Sequence, residues 1–280
     1  MTILVTGGNG RLGRHLQRDG VVALDRERLD ICDEDHVFRA LAEHAPNCVI
    51  NAAAYTEVDK AETDRERAFA INRDGAGILA RACQRRGVRL LHVSTDYVFD
   101  GVASRPYRED DACAPLGVYG QSKAAGEWDV HAAGGVVVRT SWLFDDHGPS
   151  FVHTMLRLAK ERAVLRVVAD QHGRPTYAGD LADALLALAA RDELQSTYHY
   201  ANAGETTWHA FATATIEEAC RCGAPLACER IDAITTAEYP TPATRPAYSV
   251  LDTSRISALG IVPPHWSIGL ARVVARTVER

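Results

Sequence analysis

Val5-Thr6-Gly7-Gly8-Asn9-Gly10-Arg11-Leu12-Gly13 is the stretch that decides the fold. It overlaps the apolar run Ile3-Leu4-Val5 and leads into a short basic segment bearing Arg11, Arg14 and Arg18 with Leu12 and Leu16 among them. A strand that passes through a glycine turn into a helix is the opening of a dinucleotide-binding unit. Gly7 permits the tight turn, Gly10 lets a pyrophosphate approach the backbone, and Gly13 lets the helix pack against the strand. The start of the helix offers unpaired N–H groups and the positive end of its dipole to phosphate oxygens. The spacing is G-x-x-G-x-x-G, not G-x-G-x-x-G, so the place of the glycines between first strand and first helix carries the reading.

The chain beyond repeats the theme. Val21-Val22-Ala23-Leu24, Cys48-Val49-Ile50, Leu90-Leu91-His92-Val93 and Val136-Val137-Val138 are further strand candidates, apolar on both faces as parallel strands covered by helices are. Helical patterns lie between them. One covers residues 33–45, with acidic residues in its first turn; another covers 65–86, with Ala68, Phe69, Ile71, Leu79 and Ala82 as its expected buried set. Strand–helix alternation predicts right-handed crossovers and a doubly wound, parallel Rossmann-type sheet. Near residue 145 the rhythm changes: helices are expected over 151–162, 181–190 and 208–222, with short strands near 166–168 and 198–200. Tyr239-Pro240-Thr241-Pro242-Ala243-Thr244-Arg245-Pro246 suits neither helix nor central strand and reads as an ordered surface loop. The class is α/β: a dinucleotide-binding part over 1–145 and a smaller α/β substrate-binding part over 146–280, some segments of which return to the first.

Composition narrows the function. The 280 residues can bury a sizeable core without staples. With 46% hydrophobic and 24% charged residues, the chain is neither a disordered tail nor a collagen-like fibre. A net charge of −6 argues against a nucleic-acid partner, which calls for a basic face. No apolar run approaches a membrane span, and the N-terminus lacks the pattern of a signal peptide. Seven cysteines, an odd number, read as reduced thiols of a cytoplasmic protein. Cys220, Cys222 and Cys228 lack paired spacing and a fourth ligand, so no metal site is expected from them.

Asp25 ends the second strand 18 residues after Gly7, where an acid holds an adenosine ribose hydroxyl and favours NAD. Arg26 beside it, or Arg11 in the loop, can instead meet a 2′-phosphate and favour NADP, so the residues leave both cofactors open. Asp30-Ile31 is a candidate adenine contact. Val118-Tyr119-Gly120-Gln121-Ser122-Lys123 places Tyr119 and Lys123 one turn apart on one helix face. A free phenol is a poor proton exchanger at neutral pH; a neighbouring ammonium lowers its pKa and lets it trade a proton with a carbonyl oxygen. The fourth strand ends at Val93-Ser94-Thr95-Asp96, at the sheet edge that faces ligands. The Thr95 hydroxyl can share the carbonyl with Tyr119, and Asp96 can accept from a substrate hydroxyl or serve structure.

Assembled, these residues resemble the extended short-chain dehydrogenase/reductases, and among them most closely the dTDP-4-dehydrorhamnose reductase family. The resemblance spans nearly the whole chain: the glycine loop, residues 51–62 (Asn51 to Glu62), 94–99, the Tyr119/Lys123 pair, Arg139-Thr140-Ser141-Trp142, residues 170–176 and the loop 239–246. It implies hydride transfer from NADPH or NADH to C4 of a dTDP-4-keto-6-deoxy sugar. Tyr119 would be the general acid, Lys123 would tune it and hold the nicotinamide ribose, and Thr95 would orient the carbonyl. Gly7, Gly10, Arg11, Leu12, Gly13, Asp25, Asp30, Ile31, Ala54, Tyr55, Thr56 and Val93 fall at cofactor positions, joined by Tyr119 and Lys123. Thr95, Asp96, Trp142 and Arg245 fall at sugar-nucleotide positions, with Trp142 a flat apolar wall and Arg245 a partner for the pyrophosphate. Some members form a magnesium-linked dimer through C-terminal glutamates. The tail here, Arg272 to Arg280, is mostly basic, which leaves magnesium and the choice of monomer or homodimer open. Arg11 stands where a neutral residue is usual and tilts the expectation to NADPH.

Reduction to dTDP-L-rhamnose is the leading expectation. A related dTDP-4-keto-deoxysugar reductase of an antibiotic pathway, of the dihydrostreptose type, is the first alternative. An epimerase or dehydratase would call for a second carboxylate beside the Tyr–Lys pair, and Thr95-Asp96 provides one acid. A non-catalytic regulatory subunit would keep the fold without needing Thr95, Tyr119 and Lys123 together.

Overall fold

Six strands make one parallel sheet: β1 (Ile3–Thr6), β2 (Val21–Leu24), β3 (Cys48–Asn51), β4 (Arg89–Thr95), β5 (Val136–Thr140) and β6 (Thr197–His199). They lie in the order β6-β5-β4-β3-β1-β2. The computed structural model describes residues 1–279. In register, Ile3 stands opposite Val21 on one side and Cys48 on the other, and Leu91 opposite Val136. Alternate residues of each strand feed opposite cores. Val5, Ile50, Leu91 and Val138 pack on one face with Leu185 and Leu188; Leu4, Val49, Leu90 and Val137 pack on the other with Leu41 and Leu79. All of these are buried, which is why the strands read as unbroken apolar runs.

The principal helices are α1 (Arg11–His15), α2 (Glu34–His44), α3 (Ala76–Arg86), α4 (Val118–Ala132), α5 (Phe151–Glu161), α6 (Ala178–Ala189), α7 (Trp208–Arg221) and α8 (Trp266–Val278). Asp33 starts α2 by accepting from the His36 N–H at 3.0 Å, and Ala45 stops it in the left-handed conformation. Such a cap contributes about 1 kcal/mol. Helix α6 and strand β6 come from the later half yet pack on or join the central sheet. Helices α5, α7 and α8 build a separate apolar cluster around Phe144, Phe211, Trp266 and Leu270. Beside them Val164–Val168 pairs in parallel with Arg230–Ile234. Residues 239–246 have no regular structure beyond the 3-10 turn that precedes them.

The expected helix over 65–86 is not one α-helix. It runs Arg65–Phe69, then a π turn over Ala70–Gly75, then α3. The wider turn has a physical cause in Asn72. Its buried amide brackets the Tyr55 backbone, Oδ1 accepting from Tyr55 N at 2.8 Å and Nδ2 donating to Tyr55 O at 3.0 Å. The same Nδ2 donates to Ser122 Oγ at 2.9 Å. Helix α4 comes so close that a Cβ on Gly126 would stand 2.0 Å from the Asn72 carbonyl oxygen. The helix expected from 181 also starts earlier, at Ala178, because the turn before it is fixed by Asn202 Oδ1 accepting from Tyr177 N at 2.7 Å.

Gly126→Ala should therefore force α4 off the π turn. The expected cost is roughly 1–3 kcal/mol, read as a lower urea midpoint in equilibrium unfolding; an unchanged midpoint would mean that the close approach is not constrained.

Candidate active site

The ends of β1, β3, β4 and β5 open on one crevice, at the point where the strand order reverses about β1. Gly7 turns the chain at φ +68°, and a Cβ on Gly13 would stand 2.2 Å from the Gly7 carbonyl oxygen. Only a glycine lets α1 start that close. Gly10 caps α1 without any side chain over the helix end. One cavity of about 330 Å³ runs from Arg26, Asp30 and Ile31 past Gly7 to Ala54, Tyr55 and Thr56. A second of about 480 Å³ shares Gly10, Ala52, Ala54 and Thr56 with it and continues over Arg11, Leu12 and Val93 to Thr95, Asp96, Tyr119, Lys123 and Trp142. The two form a continuous cleft with a bare glycine turn in its middle, the shape a dinucleotide fits.

Lys123 is 1% exposed. Its Nζ donates to the Val93 carbonyl at 2.7 Å and lies 3.1 Å from His92 Nε2. Burial lowers it to about 8, with Glu127 pulling the other way. Burial likewise pushes the Tyr119 phenol up to about 12, opposed by the Thr95 hydroxyl and assisted by Asp96. This corrects the expectation that the ammonium lowers the phenol. The lysine nitrogen is occupied with Val93 and His92, and desolvation outweighs the rest. Asp96 is buried beside them, with Oδ1 accepting from the Thr95 hydroxyl at 3.1 Å, and burial raises it to about 7. Asp96, Ser94 and Thr140 line the cleft, and their buried Oδ2, Oγ and Oγ1 atoms have no partner within hydrogen-bond distance among the described residues, Ser249 being the side chain that bears on Asp96. Buried polar atoms without partners are costly, so this end of the cleft is built for a polar ligand.

The far wall is aromatic. Trp142 and Trp208 stack with centroids 3.6 Å apart and planes 7° from parallel, and Phe151 leans on Trp208 at 4.6 Å. Trp142 adopts φ +47°, a conformation a bulky residue rarely takes. Trp208 and Phe151 are absent from the sequence-based site because each opens an amphipathic helix and reads there as core.

Three expectations need correction. Asp25 lines neither cavity; its carboxylate accepts from Asn9 Nδ2 and Arg28 N, both at 3.1 Å. Arg11 borders the cleft, but its guanidinium is committed to the Leu143 and Pro149 carbonyls and faces Asp145; Arg26 and Arg67 are the arginines that line the adenosine end. Arg26 Nε donates to Asp30 Oδ2 at 3.1 Å. Arg245 is not a free anion ligand either. It grips Asp59 with two bonds of 3.0 and 2.8 Å and so straps the proline-rich loop to the nucleotide half. In the tail, Arg272 faces Asp180 at 3.7 Å and Arg276 pairs with Asp146, and Arg280 lies outside the described residues. Among the described residues no helix is long and apolar enough to cross a membrane, and no group of His, Cys, Asp and Glu is arranged to hold a metal ion.

Known proteins share this architecture. A family model described as RmlD substrate binding domain matches residues 1–279. A dTDP-4-dehydrorhamnose reductase of Aggregatibacter actinomycetemcomitans is 44% identical, over 98% of this chain and 98% of its own. The chain belongs to the dTDP-4-dehydrorhamnose reductase family. A family member from Streptomyces griseus is 46% identical over 95% of this chain and 91% of its own. The crystal structure of the Bacillus anthracis dTDP-4-dehydrorhamnose reductase in complex with NADP superposes with a TM-score of 0.91 at 37% identity, covering 98% of this chain and 99% of that one. More distant neighbours, such as a Thermotoga maritima UDP-glucose 4-epimerase at 21% identity and TM-score 0.79, share the fold alone.

The buried Asp96 sets a stability signature. Its folded pKa lies above the unfolded value, so the folded state is favoured at acid pH and loses that advantage as pH rises through about 7. Asp96→Asn should lessen the fall in melting temperature between about pH 4 and pH 7 in calorimetric scans; a variant with the same slope would place the ionisation elsewhere.

Proposed function

We propose that the protein reduces the C4 ketone of dTDP-4-dehydro-L-rhamnose, giving dTDP-L-rhamnose at the expense of NADPH. The observation that carries this reading is one cleft that holds a glycine phosphate turn at its middle and Thr95, Tyr119 and Lys123 at one end. Membership of the family supports the substrate, and the Bacillus anthracis relative solved with NADP supports the cofactor. Gly7 and Gly10 would hold the pyrophosphate, Asp30 and Ile31 the adenine, and Arg26 the 2′-phosphate that distinguishes NADPH. Leu12, Val93 and Lys123 would hold the nicotinamide riboside. The bound cofactor supplies a hydride for the carbonyl carbon.

The chain's residues handle the oxygen and its proton. Tyr119 donates its phenolic proton to the C4 oxygen, which becomes the product hydroxyl. A phenol held near 12 stays protonated at neutral pH and is still a far stronger acid than the alcohol it produces. The Thr95 hydroxyl, which donates to Asp96 Oδ1, would turn its one proton to the same oxygen and keep it in line with the phenol. Lys123, as ammonium one turn further along α4, is the proton reserve from which the phenolate is reloaded. Asp96 Oδ2, Ser94 Oγ and Thr140 Oγ1 find partners in the sugar hydroxyls or the cofactor amide. Trp142, Trp208 and Phe151 cover the apolar face of the deoxysugar or the base and exclude water.

Tyr119→Phe is expected to reduce cofactor oxidation in the presence of dTDP-4-dehydro-L-rhamnose by roughly 100- to 10,000-fold, with NADPH binding nearly unchanged by titration calorimetry. Turnover at the native rate would overturn the assigned acid. The rate of reduction should also fall as pH rises through about 8, where Lys123 loses its proton. A profile flat to well above that pH would remove the lysine from proton return.

A further inference from the structure

Behind Lys123 lies a buried polar row that the reaction as derived above does not use. Thr6, Asn51 and His92 are each at most 1% exposed. Thr6 Oγ1 donates to Asn51 Oδ1 at 2.6 Å, and the Ala53 backbone N–H is shared between that oxygen and Thr6 Oγ1, each at 3.2 Å. A backbone N–H is only a donor, so Oδ1 belongs on that side and the amide nitrogen on the other. Asn51 Nδ2 then faces His92 Nδ1 at 2.9 Å and donates to it. A neutral imidazole that accepts at Nδ1 carries its proton on Nε2. That proton points at Lys123 Nζ, 3.1 Å away, while Nζ itself donates to the Val93 carbonyl.

We propose that His92 is a positioning residue for Lys123: locked by Asn51 as the Nε2–H tautomer, it donates to the lysine nitrogen and favours the amine that remains once Lys123 has given up its proton. The inference rests on the reading of Lys123 as the group that reloads Tyr119. The proton balance is simple. An N–H bond of the ammonium breaks as the O–H bond of the phenol forms, and the lone pair left on Nζ accepts from His92 Nε2–H. The row thus stabilises the discharged lysine and makes the ammonium a readier donor.

The charged neighbours do not supply the effect by themselves. Glu127, one turn further along α4, favours the ammonium, but it is already paired with Arg139 through a bond of 2.7 Å. His131 on the same helix bears on His92, and Asp96 bears on Tyr119. Burial keeps the His92 ring neutral, and Lys123 adds to that.

The chain has three lysines, Lys60, Lys123 and Lys160, so nitrogen-15 labelling of the lysine side chains gives a readable spectrum. In the substrate-free protein Lys123 should titrate to the amine at about 8. His92→Leu should raise that midpoint by roughly half to one pH unit. His92→Gln, whose amide N–H takes the place of the imidazole N–H, should hold it closer to the native value. An unmoved midpoint in His92→Leu overturns the proposal. Nitrogen-15 histidine spectra of the unmutated protein should show His92 with a bare Nδ1 and a protonated Nε2; a proton on Nδ1 overturns it whether or not the variants fold. Both spectra are recorded without substrate, so failure to turn over the proposed ketone would count against the function and leave this measurement standing.

Discussion

The Lys123 nitrogen bound to the Val93 carbonyl is the contact on which the site depends. It joins helix α4 to the C-terminal end of β4, and so fixes Tyr119 against Thr95. An amine buried to 1% exposure survives only with partners, and here the partners are a backbone carbonyl and one imidazole. The π turn at Ala70–Gly75 serves the same end from the other side of α4. It turns Asn72 inward to bracket Tyr55 and Ser122, and Gly126 lets α4 rest against it. Helix α4, which carries Tyr119 and Lys123, is thus held against both β4 and the π turn.

The cleft is made by two parts of the chain, and several contacts tie its walls together. Arg11 leaves the glycine turn to grip carbonyls at Leu143 and Pro149, in the segment that carries Trp142. Arg245 reaches from the proline-rich loop to Asp59. Both arginines are used for geometry within the chain, which leaves the backbone at the glycine turn, Arg26 and Arg67 lining the adenosine end of the cleft. The aromatic wall joins Trp142 to Phe151 and Trp208 of the later part.

Much of this was legible in the sequence, because its signals are local. Five apolar runs marked five of the six central strands. The glycine turn and the one-turn spacing of Tyr119 and Lys123 marked residues that the structure places along one cleft. What was not legible depends on partners distant in sequence. The reach of Arg245 to Asp59, and of Arg11 to the Leu143 carbonyl, cannot be read from either residue's neighbours. The raised phenol follows from burial, which spacing does not report. The π turn keeps the helical pattern of residues 65–86 almost intact, so periodicity passes over it. Trp208 stacks on Trp142 across 66 positions of sequence, and only its place at the start of a helix was visible beforehand.

The central claim is that one cleft brings a sugar ketone to the reduced nicotinamide with Tyr119 at its oxygen. Isotope transfer tests it most directly. With NADPH deuterated at the transferable position of the nicotinamide, the account predicts one deuterium at C4 of the dTDP-sugar product, read by NMR, with the hydroxyl proton coming from solvent. Product formed without deuterium at C4 would contradict it.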